Sequence, residues 1–137
     1  MIQELAIRLS EEISNIPRCN CEKVKEKYKI YTNRHVKWSD RRKRWGYIHP
    51  KKKYFRMDLD FPVGAFNFIE LSQMLNLPYV AECQPGEKEN FDHTGIYKRT
   101  CRDYDTIVFI VYPEDILKTD MLGKLPIIER IARETCI

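Results

Sequence analysis

Along residues 2–16 the apolar positions Ile2, Leu5, Ala6, Leu9, Ile13 and Ile16 recur at steps of three and four, with Arg8, Glu11 and Glu12 between them. That period puts one apolar stripe on a helix, and Pro17 stops it. The period then changes to two. Tyr28, Ile30, Thr32, Val36 and Trp38 alternate with Lys27, Lys29, Tyr31, Asn33, His35 and Lys37. This predicts a half-buried strand over 27–38, with Arg34 the exception on its apolar face. A polar turn at 39–43 leads to a second strand over 44–49, carrying Trp45, Tyr47 and Ile48. After a turn at 50–53, Phe55, Met57, Leu59 and Phe61 point inward from a third strand over 54–61. Short links between the three make an antiparallel meander.

Pro62 and Gly64 end the sheet run, and Phe66, Ile69, Met74 and Leu77 predict a helix over 65–77 that Pro78 stops. Tyr79 to Cys83 reads as a short strand or extended link, and the stretch QPGEKEN (84–90) as a loop. A strand over 94–101 and a turn at 102–105 precede 106–112, whose β-branched and aromatic run suits a central strand buried on both faces. Pro113, Glu114 and Asp115 open a short helix to about Lys118, and Pro126 opens the last one, over 127–135. The expectation is a single α+β domain over 1–137 with one antiparallel sheet of five or six strands. Its order is N-terminal helix, three-stranded meander, helix, two or three strands and C-terminal helix, with the helices packed on one face and 106–112 central.

Composition agrees with a folded domain: 137 residues, 43% hydrophobic and 32% charged. No run approaches the ~20 apolar residues of a membrane span. The N-terminal stripe is interrupted by acids, unlike a signal peptide, so a cytoplasmic protein is expected. Five cysteines, an odd number, fit reduced thiols in that compartment.

Charge changes the picture. The total is only +4, yet 34–56 holds ten Lys/Arg against one acid, Asp40, a net of +9 in 23 residues. The other 114 residues hold 14 basic and 19 acidic groups, a net of −5. The candidate nucleic-acid-binding residues are Lys37, Arg41, Arg42, Lys43, Arg44, Lys51, Lys52, Lys53 and Arg56, with Trp38 and Trp45 as candidate stacking platforms. The turns at 39–43 and 50–53 fall at opposite ends of a meander, on the order of 20 Å apart. Lys27, Lys29, Lys37 and Arg56 lie on the face between them, so one basic strip could follow a phosphate backbone.

Other chemistries find less support. His35 and His49 would lie near one another if the strands pair around 39–43, and a base and an acid there could serve a small metal-independent RNase. Cys19-Asn20-Cys21 lacks the CxxC spacing of a zinc knuckle. Asp58 and Asp60 share the outer face of the third strand and are expected to balance nearby lysines. No Asp or Glu has a Lys two residues later, so the [DE]-x-K half of a common nuclease motif is missing. GxSxG, P-loop and GxGxxG motifs are absent, and no metal or cofactor is expected.

The stretch KYKIYTNRHVKWSDRRKRWGYIHPKKKYFRMDLDFP, followed by GIYKRTCRDYDTIVFIVYPEDI and a closing helix, resembles a small α+β domain of unknown function. That domain is often labelled a "predicted transport protein". It has a K-Y-I-x-Y strand, an I-x-P-x-K-K turn, an L-x-L-x-L-P strand and a late strand leading into an ED helix start. The resemblance covers about 22–62 and 95–134; the family's Gly-Thr-Gly before the late strand has no counterpart here. It implies the α+β fold and, because the domain occurs alone or appended to predicted DNA endonucleases, a nucleic-acid context; it implies no catalytic residue. The leading expectation is therefore a non-enzymatic module that binds DNA or RNA. The alternatives are a protein-interaction module, such as a viral or defence-system factor docking on a partner protein, and the small RNase.

Overall fold

Period-two stretches become strands where a neighbour takes up their backbone hydrogen bonds. The computed structural model describes residues 1–137 and contains seven such strands. They are β1 (Cys19–Val24), β2 (Lys27–Thr32), β3 (Arg44–Pro50), β4 (Phe55–Pro62), β5 (Tyr79–Cys83), β6 (Gly95–Thr100) and β7 (Tyr104–Val111). Four α-helices accompany them: α1 (Ile2–Ser14), α2 (Phe68–Leu75), α3 (Ile116–Thr119) and α4 (Leu125–Thr135). The strands form one sheet in the order β1-β2-β3-β4-β7-β6-β5. The class is the expected α+β. No helix is long and apolar enough to cross a membrane.

The strand count exceeds the expected five or six. The addition is β1, whose sequence CNCEKV has little apolar alternation because it is an edge strand. A two-residue turn joins it to β2, with Lys25 at φ 58°. The meander is therefore four-stranded. The sheet is also not wholly antiparallel, since β5 pairs with β6 in parallel.

The predicted strand over 27–38 stops at Thr32. The alternation beyond it is real burial of a different kind. Val36 is fully buried, but its segment bridges to Cys136 at the C-terminus rather than to β3, and the Lys37 amide donates to the Thr135 carbonyl. The connection between β2 and β3 thus runs over 33–43, and the register becomes Tyr28 opposite Ile48. A bulge at Ile30/Tyr31 leaves Arg44 opposite Tyr31 and turns Trp45 into the core.

On one face, Ala6, Leu9 and Ile13 of α1, Leu71 and Leu75 of α2, and Ile128 and Ile131 of α4 share a cluster with Ile30, Ile48, Met57, Leu59, Ile107 and Phe109. The Asn67 side chain accepts from the Ile69 and Glu70 amides, which is why α2 begins at Phe68, later than the predicted 65. On the other face a smaller cluster of Phe91, Tyr97, Val108 and Ile110 covers β6 and β7 under the 84–94 connection. β7 is accordingly buried on both faces, as expected, between β4 and β6.

Gly46 is required by close approach. A Cβ there would stand 2.5 Å from the Asp58 carbonyl oxygen and 3.1 Å from the Ile30 and Leu59 side chains. Gly46→Ala must spread β3 from β4, so a loss of about 1–3 kcal/mol is expected in chemical denaturation. An unchanged midpoint would show that the two strands separate freely.

Candidate nucleic-acid interface

Pairing fixes what lies on the face away from the helices. Lys29, Tyr47, Asp58, Val108 and Tyr97 form one cross-strand row, and His49, Arg56, Ile110 and Gly95 another. These rows pass from exposed and basic on β2–β3 to apolar and covered on β7–β6. Half of this face is thus open sheet, and half lies under the 84–94 connection.

The open half carries Lys27, Lys29, Tyr31, Arg44, Tyr47 and His49, all partly exposed. Tyr47 is its centre: Lys27 Nζ lies 5.0 Å from the ring centroid and the Arg44 guanidinium 4.1 Å. Neither cation makes an ion pair, and Arg44 Nη1 is buried without a hydrogen-bond partner. The acid on this half is Glu22, opposite Lys29 and beyond ion-pair distance of it.

The structure divides the predicted residues into two groups. Arg41, Lys43, Lys52 and Lys53 are exposed and Arg44 and Lys51 partly so; none makes an ion pair. Arg41 and Lys43 sit at one end of β3, and Lys51 to Lys53 at the other. The remainder are engaged by other residues of the chain. Lys37 lies in the 33–43 connection, 3.6 Å from Glu134 of α4, and so leaves the sheet face predicted for it. Trp45 is fully buried. Trp38 stacks on Tyr104 at 5.2 Å, with the Arg42 guanidinium 4.1 Å from the Tyr104 ring. Neither Trp is therefore a free platform. The aromatics on the open half are Tyr31 and Tyr47; Tyr31 shares the parity of Lys27 and Lys29 along one strand, which was the available signal.

Two arginines neutralise buried carboxylates. Arg42 pairs with Asp60, and its Nε donates to the Arg44 carbonyl at 2.8 Å. Arg56 donates to both oxygens of Asp58, at 2.8 and 3.0 Å. Asp58 and Asp60 are each 5% exposed, so arginines, not the expected lysines, balance them. Burial pushes the Asp60 carboxyl up to about 6, against the pull of the Thr106 hydroxyl and of Arg42.

The two histidines do not meet. His35 stands in the 33–43 connection, 3.9 Å from Asp40, whereas His49 lies near the far end of β3. The expected proximity required a five-residue turn, and the connection is longer. His49 instead helps line a pocket with Lys27, Tyr47, Arg56, Asp58 and Arg99. Burial, then Lys51, Lys27 and Arg56, lower its pKa. Arg99 was missed, although the alternation of 94–101 places it on the same face as Tyr97.

All five cysteines are free thiols, and nowhere do three or more His, Cys, Asp or Glu side chains converge as a metal site would need. Comparison with protein-family models, with curated proteins and with solved structures found no match.

Arg42→Ala strips the partner from a buried carboxylate, an expected loss of about 3–5 kcal/mol at about pH 7.5. The folded Asp60 pKa lies above its unfolded value, so the carboxylate form opposes folding above about pH 6. The penalty is relieved as pH falls through that value. The gap between variant and wild-type urea midpoints should narrow at about pH 5; a gap independent of pH would remove Asp60 from the account.

Proposed function

We propose that the chain is a non-enzymatic nucleic-acid-binding module that grips phosphates along the open half of its sheet. The observation that carries the reading is the run of unpaired cations from one end of β3 to the other: Arg41 and Lys43, then Arg44, Lys27 and Lys29, then Lys51 to Lys53. At ~3.3 Å per residue the seven residues of β3 separate the two ends by about 20 Å. Several phosphates in register with that strip would each release a counterion.

Single strands suit the surface better than a duplex. Tyr31 and Tyr47 offer flat apolar faces between cations, and no helix projects from this side to enter a groove. Bases would stack and phosphates pair, with little sequence preference. The resemblance of 22–62 and 95–134 to a domain that occurs alone or appended to predicted DNA endonucleases is in keeping with this reading.

Fluorescence anisotropy with oligo-dT and oligo-U across salt tests this. With four to five phosphates engaged, the log–log slope should be about −3. Lys51/Lys52/Lys53→Glu should weaken binding at least ~10-fold near 50 mM salt and flatten the slope by about 2. Absence of binding to either polymer at low salt, or affinity that does not fall with salt, would sink the proposal. Recovery of a protein partner that survives nuclease treatment would instead favour the interaction-module reading.

A further inference from the structure

Two arginines that line the pocket beside the open half also meet a carboxylate outside its lining, an arrangement that the phosphate strip does not use. Arg56 on β4 and Arg99 on β6 converge on one carboxylate, that of Glu89. Its Oε2 accepts from Arg56 Nη1 at 3.1 Å, and its Oε1 contacts Arg99 Nη2. Two guanidiniums closing on two oxygens is the geometry by which arginines recognise phosphate.

The two carboxylates of the cluster arrive differently. Asp58 is two residues from Arg56 on the same strand, and its side chain is 6% exposed, so the sheet fixes it. Glu89 comes on the 84–94 connection, which contains no strand or helix and whose residues 84–88 are all exposed, with one turn bond in which the Glu87 amide donates to the Gln84 carbonyl. What anchors that connection is Phe91, packed edge-on against Tyr97 at 4.9 Å, rather than Glu89. The hold on Phe91 thus does not depend on the ion pairs of Glu89.

We propose that the Arg56–Arg99 pair is a binding site for a phosphate monoester and that Glu89 is its internal ligand, displaced when the phosphate binds. Lys27, Tyr47 and His49 complete the wall. With Glu89 in place, Lys27, Arg56 and Arg99 face Asp58 and Glu89 and leave one positive charge in excess. With Glu89 gone the excess is two, which matches a phosphate monoester of about −1.5 to −2. The pocket on the open side of the two arginines, with Glu89 outside its lining, is about 160 Å³, below the roughly 300–1,000 Å³ of clefts that take whole small molecules, so it suits one anionic group. His49 is held toward its neutral form by burial and by Lys51, Lys27 and Arg56, opposed by Asp58. A phosphate beside it would restore the protonated form and add a donor. The site stands on its own geometry and rests on the nucleic-acid reading only for what carries the phosphate.

Inorganic phosphate, titrated at ionic strength held constant with chloride, is the first probe. The His49 ring resonances and thermal unfolding are the readouts. If Glu89 fills the site about nine-tenths of the time, Glu89→Gln and Glu89→Ala should both bind phosphate about 10-fold more tightly than wild type. Arg99→Gln should abolish the response while keeping the unfolding transition. Equal or weaker phosphate binding by both Glu89 variants would overturn the assignment, as would phosphate that moves neither His49 nor the melting temperature in any of them. A second arm compares 5′-phosphorylated and unphosphorylated oligonucleotides of one sequence on Glu89→Gln. Tighter binding of the phosphorylated strand puts the monoester on a strand end. Equal binding of the two, with inorganic phosphate still bound tightly, supports the site as one for a free phosphate. Failure of both oligonucleotides with phosphate binding intact defeats the nucleic-acid reading alone.

Discussion

Two carboxylates buried side by side on β4 constrain much of this protein. Asp58 and Asp60 project from the face opposite the helices, yet each is 5% exposed. An ionised group at that depth requires a charged partner with well-aligned hydrogen bonds. Arg56 supplies both bonds to Asp58 from the same strand. Asp60 is met by Arg42 and by the Thr106 hydroxyl at 2.7 Å. Its backbone oxygen also accepts from the Thr135 hydroxyl at 3.0 Å, which ties the end of α4 to the sheet.

These pairings shape the 33–43 connection. Reaching Asp60 brings Arg42 back over the sheet, where it lies against Tyr104 with Trp38 stacked beyond. The segment before it folds against the C-terminus through Val36 and Lys37. A connection that reads in sequence as a polar, charged turn becomes a built corner of the domain. The same requirement sorts the cations: those within reach of a buried acid are consumed, and those beyond reach remain at the rim and on the open half of the sheet.

The 84–94 connection draws the other boundary. Phe91 seals the apolar surface of Tyr97, Val108 and Ile110, which would otherwise face water. Glu89 travels with it and pairs with Arg56 and Arg99. One connection thus performs two tasks of different strength. Apolar burial holds the aromatic, whereas a partly exposed ion pair holds the carboxylate, and the second is the weaker hold.

Local pattern determined the element types from the sequence alone: the helices at both ends, β2 to β4 in antiparallel order, the buried run of β7 and the concentration of positive charge at 34–56. Each depends on period or composition within a short window, and such signals survive without knowledge of distant neighbours. β1 was illegible because an edge strand exposed to water needs no apolar alternation. Only the tertiary structure decided which cations are free. Arg42 and Lys43 are adjacent in sequence and alike in charge, yet one is spent on Asp60 and the other faces solvent. The separation of His35 from His49 has the same origin. Both follow from pairings across 18 or more residues, Arg42 with Asp60 and Val36 with Cys136, and neither is encoded in the residues beside them.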